Sequence, residues 1–198
     1  MNTYQSRTID VDVRGLTCPE PVLRARNALD SIDRGLVNVL TDDAACRDNV
    51  VRFAQSAGHT VESSERDDHT YLVSIAKSGS VTARPQIAGT VVFVGGDQIG
   101  RGADELGRLL MELFLRTLSE VPARPARLIL ANAGVKLAVE GSTALDSLGK
   151  LERGGVKIGV CGTCLDFYGI KDKIRVGAVT NLYEVTEHLL AAEKVISL

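Results

Sequence analysis

Polar and apolar residues alternate along Thr8-Ile9-Asp10-Val11-Asp12-Val13, and apolar residues then recur at positions 22, 25, 29 and 32. A period of two marks a half-buried strand, and a spacing of three to four marks one face of a helix. The pattern therefore predicts a strand over residues 8–13 and a helix over Val22 to Ile32. Gly35 to Leu40 reads as a second strand. Thr41-Asp42-Asp43 supplies capping side chains for a second helix running to about Ala57. Its apolar face is Ala45, Cys46, Val50, Phe53, Ala54 and Ala57, which places Cys46 in a core, and Gly58 ends it. His59 to Glu65 and Thr70 to Lys77 read as two strands joined by the turn Arg66-Asp67-Asp68-His69. The order β-α-β-α-β-β predicts a two-layer sandwich with both helices on one face of the sheet.

Residues Ser78 to Gly89 are small and polar, include a proline and carry no apolar period, so they read as a linker. Beyond it the pattern changes. Thr90 to Val94 is a continuous apolar run, the mark of a strand buried on both faces. A glycine-rich loop, Gly95 to Gly102, leads to a long helix containing Leu106, Leu109, Leu110, Leu113 and Leu118. Strand and helix then alternate: a strand Arg127 to Ala131, a helix from Ser142 to Leu151, and a strand Val156 to Val160. A short helical turn Leu165 to Tyr168, a strand Gly177 to Val179, a helix Asn181 to Ala192 and a strand Val195 to Ser197 follow. Such alternation predicts an α/β domain with a mostly parallel sheet between two helical layers. The expected organisation is thus one domain over residues 1–77, a linker over 78–89 and a second domain over 90–198.

Bulk properties narrow the functional classes. The chain has 198 residues, a formal net charge of −2 and no tryptophan. That charge does not point to a nucleic-acid partner. No apolar run approaches the roughly 20 residues a membrane-spanning helix needs, and Met1 to Arg7 lacks a signal-peptide core. A soluble cytoplasmic protein is the expectation. Four cysteines are too few for a disulfide scaffold in a chain this long, so they are expected as free, catalytic or metal-binding thiols. The loop at 95–102 lacks the spacing of a dinucleotide or Walker loop, and reads instead as a tight turn allowing close backbone approach.

The chemistry concentrates in two places. The first is Gly15-Leu16-Thr17-Cys18-Pro19-Glu20-Pro21, where a strand hands over to a helix. Prolines are tolerated in a first helical turn, whose N–H groups are unpaired anyway. The sequence leaves the cap open. Pro19 at the first helical position makes Cys18 the cap, whereas Thr17 with Glu20 forms a capping box. In both cases the sulfur stands in the first turn, where the helix dipole favours a thiolate. Arg14, Arg24 and Arg26 lie close in sequence and add positive potential. The competing reading is an inert cysteine packed at a helix start.

The second place is Cys161-Gly162-Thr163-Cys164, at the carboxyl end of a predicted parallel strand, the edge where sites gather in open α/β sheets. A zinc site needs more ligands than this pair supplies, and His59, His69 and His188 show no ligand spacing. A thioredoxin-like redox pair lacks the downstream proline such folds carry, since no proline follows Pro125. In a third reading Cys161 holds a persulfide and Cys164 attacks it, releasing sulfide or passing sulfur onward.

Gly-Leu-x-Cys-Pro-x-Pro after a first strand resembles the SirA/TusA-like family of small sulfur carriers, with Gly15, Leu16, Cys18, Pro19 and Pro21 in the family's positions. The resemblance covers residues 8–77 and implies that Cys18 carries a persulfide. Asn132-Ala133-Gly134-Val135, Glu140-Gly141-Ser142, Gly155 to Ile158 and the Cys161–Cys164 stretch through Ile170 resemble the DsrE/DsrF-like family over residues 90–198. In its sulfur-relay members the reactive cysteine follows a strand, about eight residues before a glycine, as Cys161 precedes Gly169. The two in this order are similar to the YedF-like family, described as sulfurtransferase-like and associated with selenium metabolism.

Together these resemblances imply a sulfurtransferase-like protein that moves sulfur, or selenium, through cysteine persulfides. Cys18 would be the carrier and Cys161 with Cys164 a second relay site. No cofactor is expected beyond the covalent persulfide. The implied partners are a sulfur-donor protein such as a cysteine desulfurase and an acceptor protein thiol, with homo-oligomerisation through the second domain. A flexible linker of a dozen residues spans about 20 Å root-mean-square, so the thiols can meet within one chain or across subunits. The alternatives are a regulatory or protein-interaction module without turnover and a Cys-x-x-Cys thiol–disulfide protein.

Overall fold

The computed structural model describes residues 7–17, 19–66, 69–78 and 87–198. The chain divides into two compact units, Met1–Ala83 with Asn181–Tyr183 and Arg84–Thr180 with Glu184–Leu198. Each has its own buried apolar cluster.

In the first unit, β1 (Arg7–Asp12), α1 (Glu20–Asp30), β2 (Gly35–Thr41), α2 (Ala44–Ser56), β3 (Thr60–Glu65) and β4 (Tyr71–Lys77) follow the predicted order. The sheet runs β1-β2-β4-β3. β1 lies parallel to β2, while β4 is antiparallel to both β2 and β3. The period-two alternation settles which residues face inward. Val37 and Val39 of β2 and Val73 and Ile75 of β4 are buried under the two helices. All four predicted α1 contacts, Val22, Ala25, Leu29 and Ile32, are buried, as is Cys46. Asp43 caps α2 by accepting the Cys46 N–H at 2.7 Å. The result is a two-layer sandwich with one hydrophobic interface.

The second unit contains β5 (Ile87–Val94), α3 (Asp104–Glu120), β6 (Arg127–Leu130), a 3-10 helix (Asn132–Ala138) and α4 (Leu145–Arg153). β7 (Lys157–Cys161), α5 (Gly162–Tyr168), β8 (Ala178–Thr180), α6 (Leu182–Ala191, of which the part from Glu184 on belongs to this unit) and β9 (Ala192–Ser197) complete it. Its five strands run β8-β7-β6-β5-β9, every neighbouring pair parallel. β5 begins at Ile87, inside the stretch read as linker, and residues 79–86 lie outside those described. Alternate side chains of β5 and β6 serve opposite faces. Val92, Val94, Leu128 and Leu130 pack with Met111, Leu115, Leu148 and Leu151 of α3 and α4. Val91 and Ile129 pack with Val185 of α6. Helices therefore cover both faces, as parallel sheets require.

Of the five leucines singled out in α3, Leu118 packs against the core cluster and four do not line it. Leu106, Leu109, Leu110 and Leu113 are exposed, and the side turned inward carries Gly107, Met111, Leu115 and Ser119. Small residues decide the orientation. Gly107 lies against Gln98 and Ile99 of the preceding loop, where an added Cβ would stand 3.1 Å from both the Gln98 Cβ and the Ile99 carbonyl oxygen. Its carbonyl accepts the Ile99 N–H at 2.9 Å. The glycine-rich loop is thus folded back onto its own helix.

Candidate functional site

At the first motif the strand-to-helix corner is built by a short network. The Gly15 N–H donates to Asp42 Oδ1 at 3.0 Å, with Gly15 at φ +72. The Leu16 N–H donates to the Val13 carbonyl at 3.2 Å, and the Glu20 N–H to the Thr17 carbonyl at 3.0 Å. Cys18 itself lies outside the described residues. Its neighbours revise the capping expectation. Helix α1 starts at Glu20, Pro19 is its cap residue without a side-chain hydrogen bond, and Pro21 sits inside the first turn, buried. The cap position thus falls on Pro19 rather than on Cys18 or Thr17. The Leu23 N–H makes the first helical bond, to the Pro19 carbonyl at 3.1 Å. Proline is tolerated at this terminus because the N–H groups there lack helical partners.

The nearby arginines are not spare cations. Arg14 pairs with Asp12 at 2.6 Å, Arg24 with Glu20 at 3.1 Å and Arg26 with Asp30 at 3.4 Å. The Arg14 hydrogen bonds hold the Asp12 carboxyl at about 2, below the usual carboxylate range. Carboxylates thus offset much of the positive potential expected at this end of α1. Asp12, Arg14, Gly15, Leu16, Arg24 and Asp42 line an open cleft of about 520 Å³. Five of these residues, Asp12, Arg14, Gly15, Leu16 and Arg24, stand within six positions of residue 18 in the chain, and the cleft they line is polar and mixed in charge.

The second motif stands where expected, at the carboxyl edge of the parallel sheet. β6 and β7 are neighbours in register, Leu130 opposite Val160, so the segments leaving them emerge side by side. Asn132 leaves β6 with a φ of +47, a conformation asparagine tolerates better than most residues. Cys161 ends β7 and caps α5. Gly134 lets the 3-10 helix sit close to β5, since an added Cβ would run into the Val94 carbonyl oxygen. At the other end of α5, Gly169 turns left-handed (φ +63) and the Ile170 N–H returns to the Leu165 carbonyl at 3.1 Å. This closure is a Schellman-type stop that fixes the last turn.

The two cysteines differ in surroundings. Cys161 is 4% exposed, whereas Cys164 is half-buried. The Asn132 N–H donates to Cys164 Sγ at 3.1 Å. Tyr168, one turn beyond Cys164, donates its hydroxyl to Asn132 Oδ1 at 3.1 Å. The Lys136 ammonium lies over the Tyr168 ring, 4.5 Å from its centre. Burial pushes the Cys161 thiol up to about 12, and its hydrogen bond to Cys164 and the charge of that sulfur push the same way. Backbone N–H groups of Cys164 and Thr163 act against this without overcoming it.

That shift has a sign. The folded chain holds the Cys161 proton more tightly than the unfolded chain, so the stabilisation is complete below about pH 9 and is lost as pH rises toward about 12. Urea unfolding of the second unit should therefore show falling stability above pH 9, and Cys161→Ala should flatten that dependence. An unchanged slope in the variant would show that Cys161 is not the group responsible.

Asn132, Tyr168 and Lys136 do not emerge as functional from sequence spacing. Their link to the cysteines comes from β6 lying beside β7 and from the turn of α5. Among the described residues no three of His, Cys, Asp and Glu form a metal-binding group. Among them also, no helix is long and apolar enough to cross a membrane.

Comparison with known proteins places the first unit. The family described as Sulfurtransferase TusA matches residues 9–77. The sulfur carrier protein TusA of Pseudomonas paraeruginosa is 34% identical over 68 residues, which are 34% of this chain and 86% of that one. A crystal structure of a SirA-like protein from Desulfitobacterium hafniense is 35% identical, covering 36% of this chain and 99% of its own, with a TM-score of 0.34. The ychN protein of E. coli is 22% identical, covering 56% of this chain and 99% of its own, with a TM-score of 0.45. Through residues 9–77, including the Cys-Pro-x-Pro corner, the chain belongs to the TusA family of sulfurtransferases.

Proposed function

We propose that this chain carries sulfur as a persulfide on Cys18 and hands it on, with the Cys161–Cys164 pair as a second sulfur site. The observation that supports this is the family match over residues 9–77, which contains Cys18 directly before the cap of α1. A donor, such as a cysteine desulfurase persulfide, presents its outer sulfur. The Cys18 thiolate attacks that sulfur, the donor thiolate leaves, and Cys18 holds S–SH. An acceptor thiolate repeats the exchange. No cofactor enters, because the sulfur itself is the cargo. The open, polar cleft beside the motif suits contact with a protein surface better than capture of an apolar small molecule.

The same nucleophile serves selenium, and the two-domain order similar to the YedF-like family extends the reading to that chalcogen. A cytoplasmic setting goes with it, since persulfide exchange needs reduced thiols. Self-association of the second domain is part of the same reading, and the exposed leucines of α3 are the surface available for it.

Incubation of the full chain with a cysteine desulfurase and cysteine, followed by peptide mass spectrometry, should place one added sulfur on Cys18. Equal loading of Cys18→Ser protein would contradict the carrier role.

A further inference from the structure

We propose that Cys164 is the sulfur-accepting thiol of the second domain and Cys161 its resolving partner, so that the pair reduces a delivered persulfide to sulfide. The proposal rests on the sulfur-transfer reading above and reverses the order that the motif spacing suggests. Three observations carry it. First, access differs: Cys161 is almost fully enclosed, while Cys164 reaches the surface. Second, a backbone donor is aimed at Cys164, whose sulfur accepts the Asn132 N–H at 3.1 Å. That bond fixes the position of the accessible sulfur for attack on an incoming persulfide. Third, that arrangement is braced. Tyr168 holds the Asn132 side chain, and Lys136 lies on the Tyr168 ring. Asn132, Tyr168 and Lys136 are positioning residues in this scheme.

The chemistry balances without an outside oxidant. The Cys164 thiolate attacks the outer sulfur of a donor persulfide, the donor S–S bond breaks, and the donor thiolate leaves. Cys164 now holds S–SH. Cys161 loses its proton and attacks the inner sulfur of that persulfide. The bond to the outer sulfur breaks and hydrosulfide leaves, taking up the proton as hydrogen sulfide. The outer sulfur gains two electrons, and the two cysteine sulfurs lose one each in forming their disulfide. A dithiol reductant restores the pair for another turnover. Burial of Cys161 fits the resolving role, because a thiol that keeps its proton stays unreactive until a persulfide stands beside it.

The test uses glutathione persulfide with the full-length reduced chain, measuring sulfide release and mapping each cysteine by mass spectrometry. Wild-type protein should release one equivalent of sulfide per pair and form the Cys161–Cys164 disulfide. Cys161→Ser should retain a persulfide on Cys164 and release no sulfide from the pair, and Cys161→Ala repeats this should the buried hydroxyl disturb folding. Cys164→Ser should leave Cys161 unmodified. A persulfide on Cys161 in Cys164→Ser, or a glutathione mixed disulfide on Cys164 in Cys161→Ser, overturns the assignment and leaves the sulfur-transfer reading intact. An unmodified pair in a chain that still loads Cys18 also overturns it, whereas failure to load any cysteine defeats both. Tyr168→Phe should slow persulfide loading of Cys164 about fivefold while leaving the amount loaded at saturating donor unchanged, the effect of one lost hydrogen bond in the brace of Asn132. An unchanged loading rate would remove Tyr168 from the positioning network.

Discussion

Cys18→Ser protein is expected to pass sulfur from a cysteine desulfurase to an acceptor thiol at least about a thousandfold more slowly than the wild-type chain. A serine hydroxyl is not ionised near neutral pH, and its oxygen forms no stable bond to sulfane sulfur. The exchange therefore loses both its nucleophile and its carrier atom. The substitution should spare the fold. The chain neighbours of Cys18, Thr17 and Pro19, are exposed and half-buried respectively. Stability is expected to change by no more than about 0.5 kcal/mol. Transfer within tenfold of wild type would mean that sulfur travels through a different atom.

The second large effect separates two adjacent residues of α3. Met111→Ala should destabilise the second unit by about 2–4 kcal/mol, because it removes a buried side chain from the interface with the sheet and leaves a cavity. Leu110→Ala should change stability by no more than about 0.5 kcal/mol. Met111 is 1% exposed and Leu110 is 41% exposed. One position along a helix is a rotation of about 100°, enough to move a side chain from interior to surface. Urea unfolding of the two variants measures the difference. Equal losses would show that the leucine face of α3 is covered as well as the Met111 face.

The same helix shows where sequence reasoning is strong and where it fails. Val22, Ala25 and Leu29 of α1, with Ile32 just beyond it, form one apolar stripe, so periodicity alone identifies the buried face. In α3, leucines at 106, 109, 110 and 113 compete with Met111, Leu115 and the small residues Gly107 and Ser119. Counting hydrophobics selects the wrong side, because close approach to the loop before the helix depends on the missing side chain of Gly107. The strands of both units are legible because alternation and continuous apolar runs distinguish a one-faced sheet from a two-faced one. Even so, the start of β5 at Ile87 is hidden, since Gln86-Ile87-Ala88-Gly89 carries no apolar run.

The sites divide in the same way. Cys18 and the Cys161–Cys164 pair are visible because their motifs are contiguous. The cap of α1 is not, since Pro19 takes the cap position with no side-chain bond to reveal it. Nor does proximity in sequence show that Arg14, Arg24 and Arg26 each meet a carboxylate. The bond from the Asn132 N–H to Cys164 Sγ is hidden too, because Asn132 is about thirty positions away and is brought alongside by the pairing of β6 with β7. Spacing within the motif carries no information about that neighbour.

Carriage through Cys18 is tested most directly by a pulse and chase. The full chain is loaded with labelled sulfur from a desulfurase, separated from the donor, and mixed with a reduced acceptor protein. The label is then followed by rapid quenching and peptide mapping. The account predicts that sulfur leaves Cys18 at the rate at which it appears on the acceptor. If the acceptor fills while the label on Cys18 stays in place, Cys18 is not the carrier.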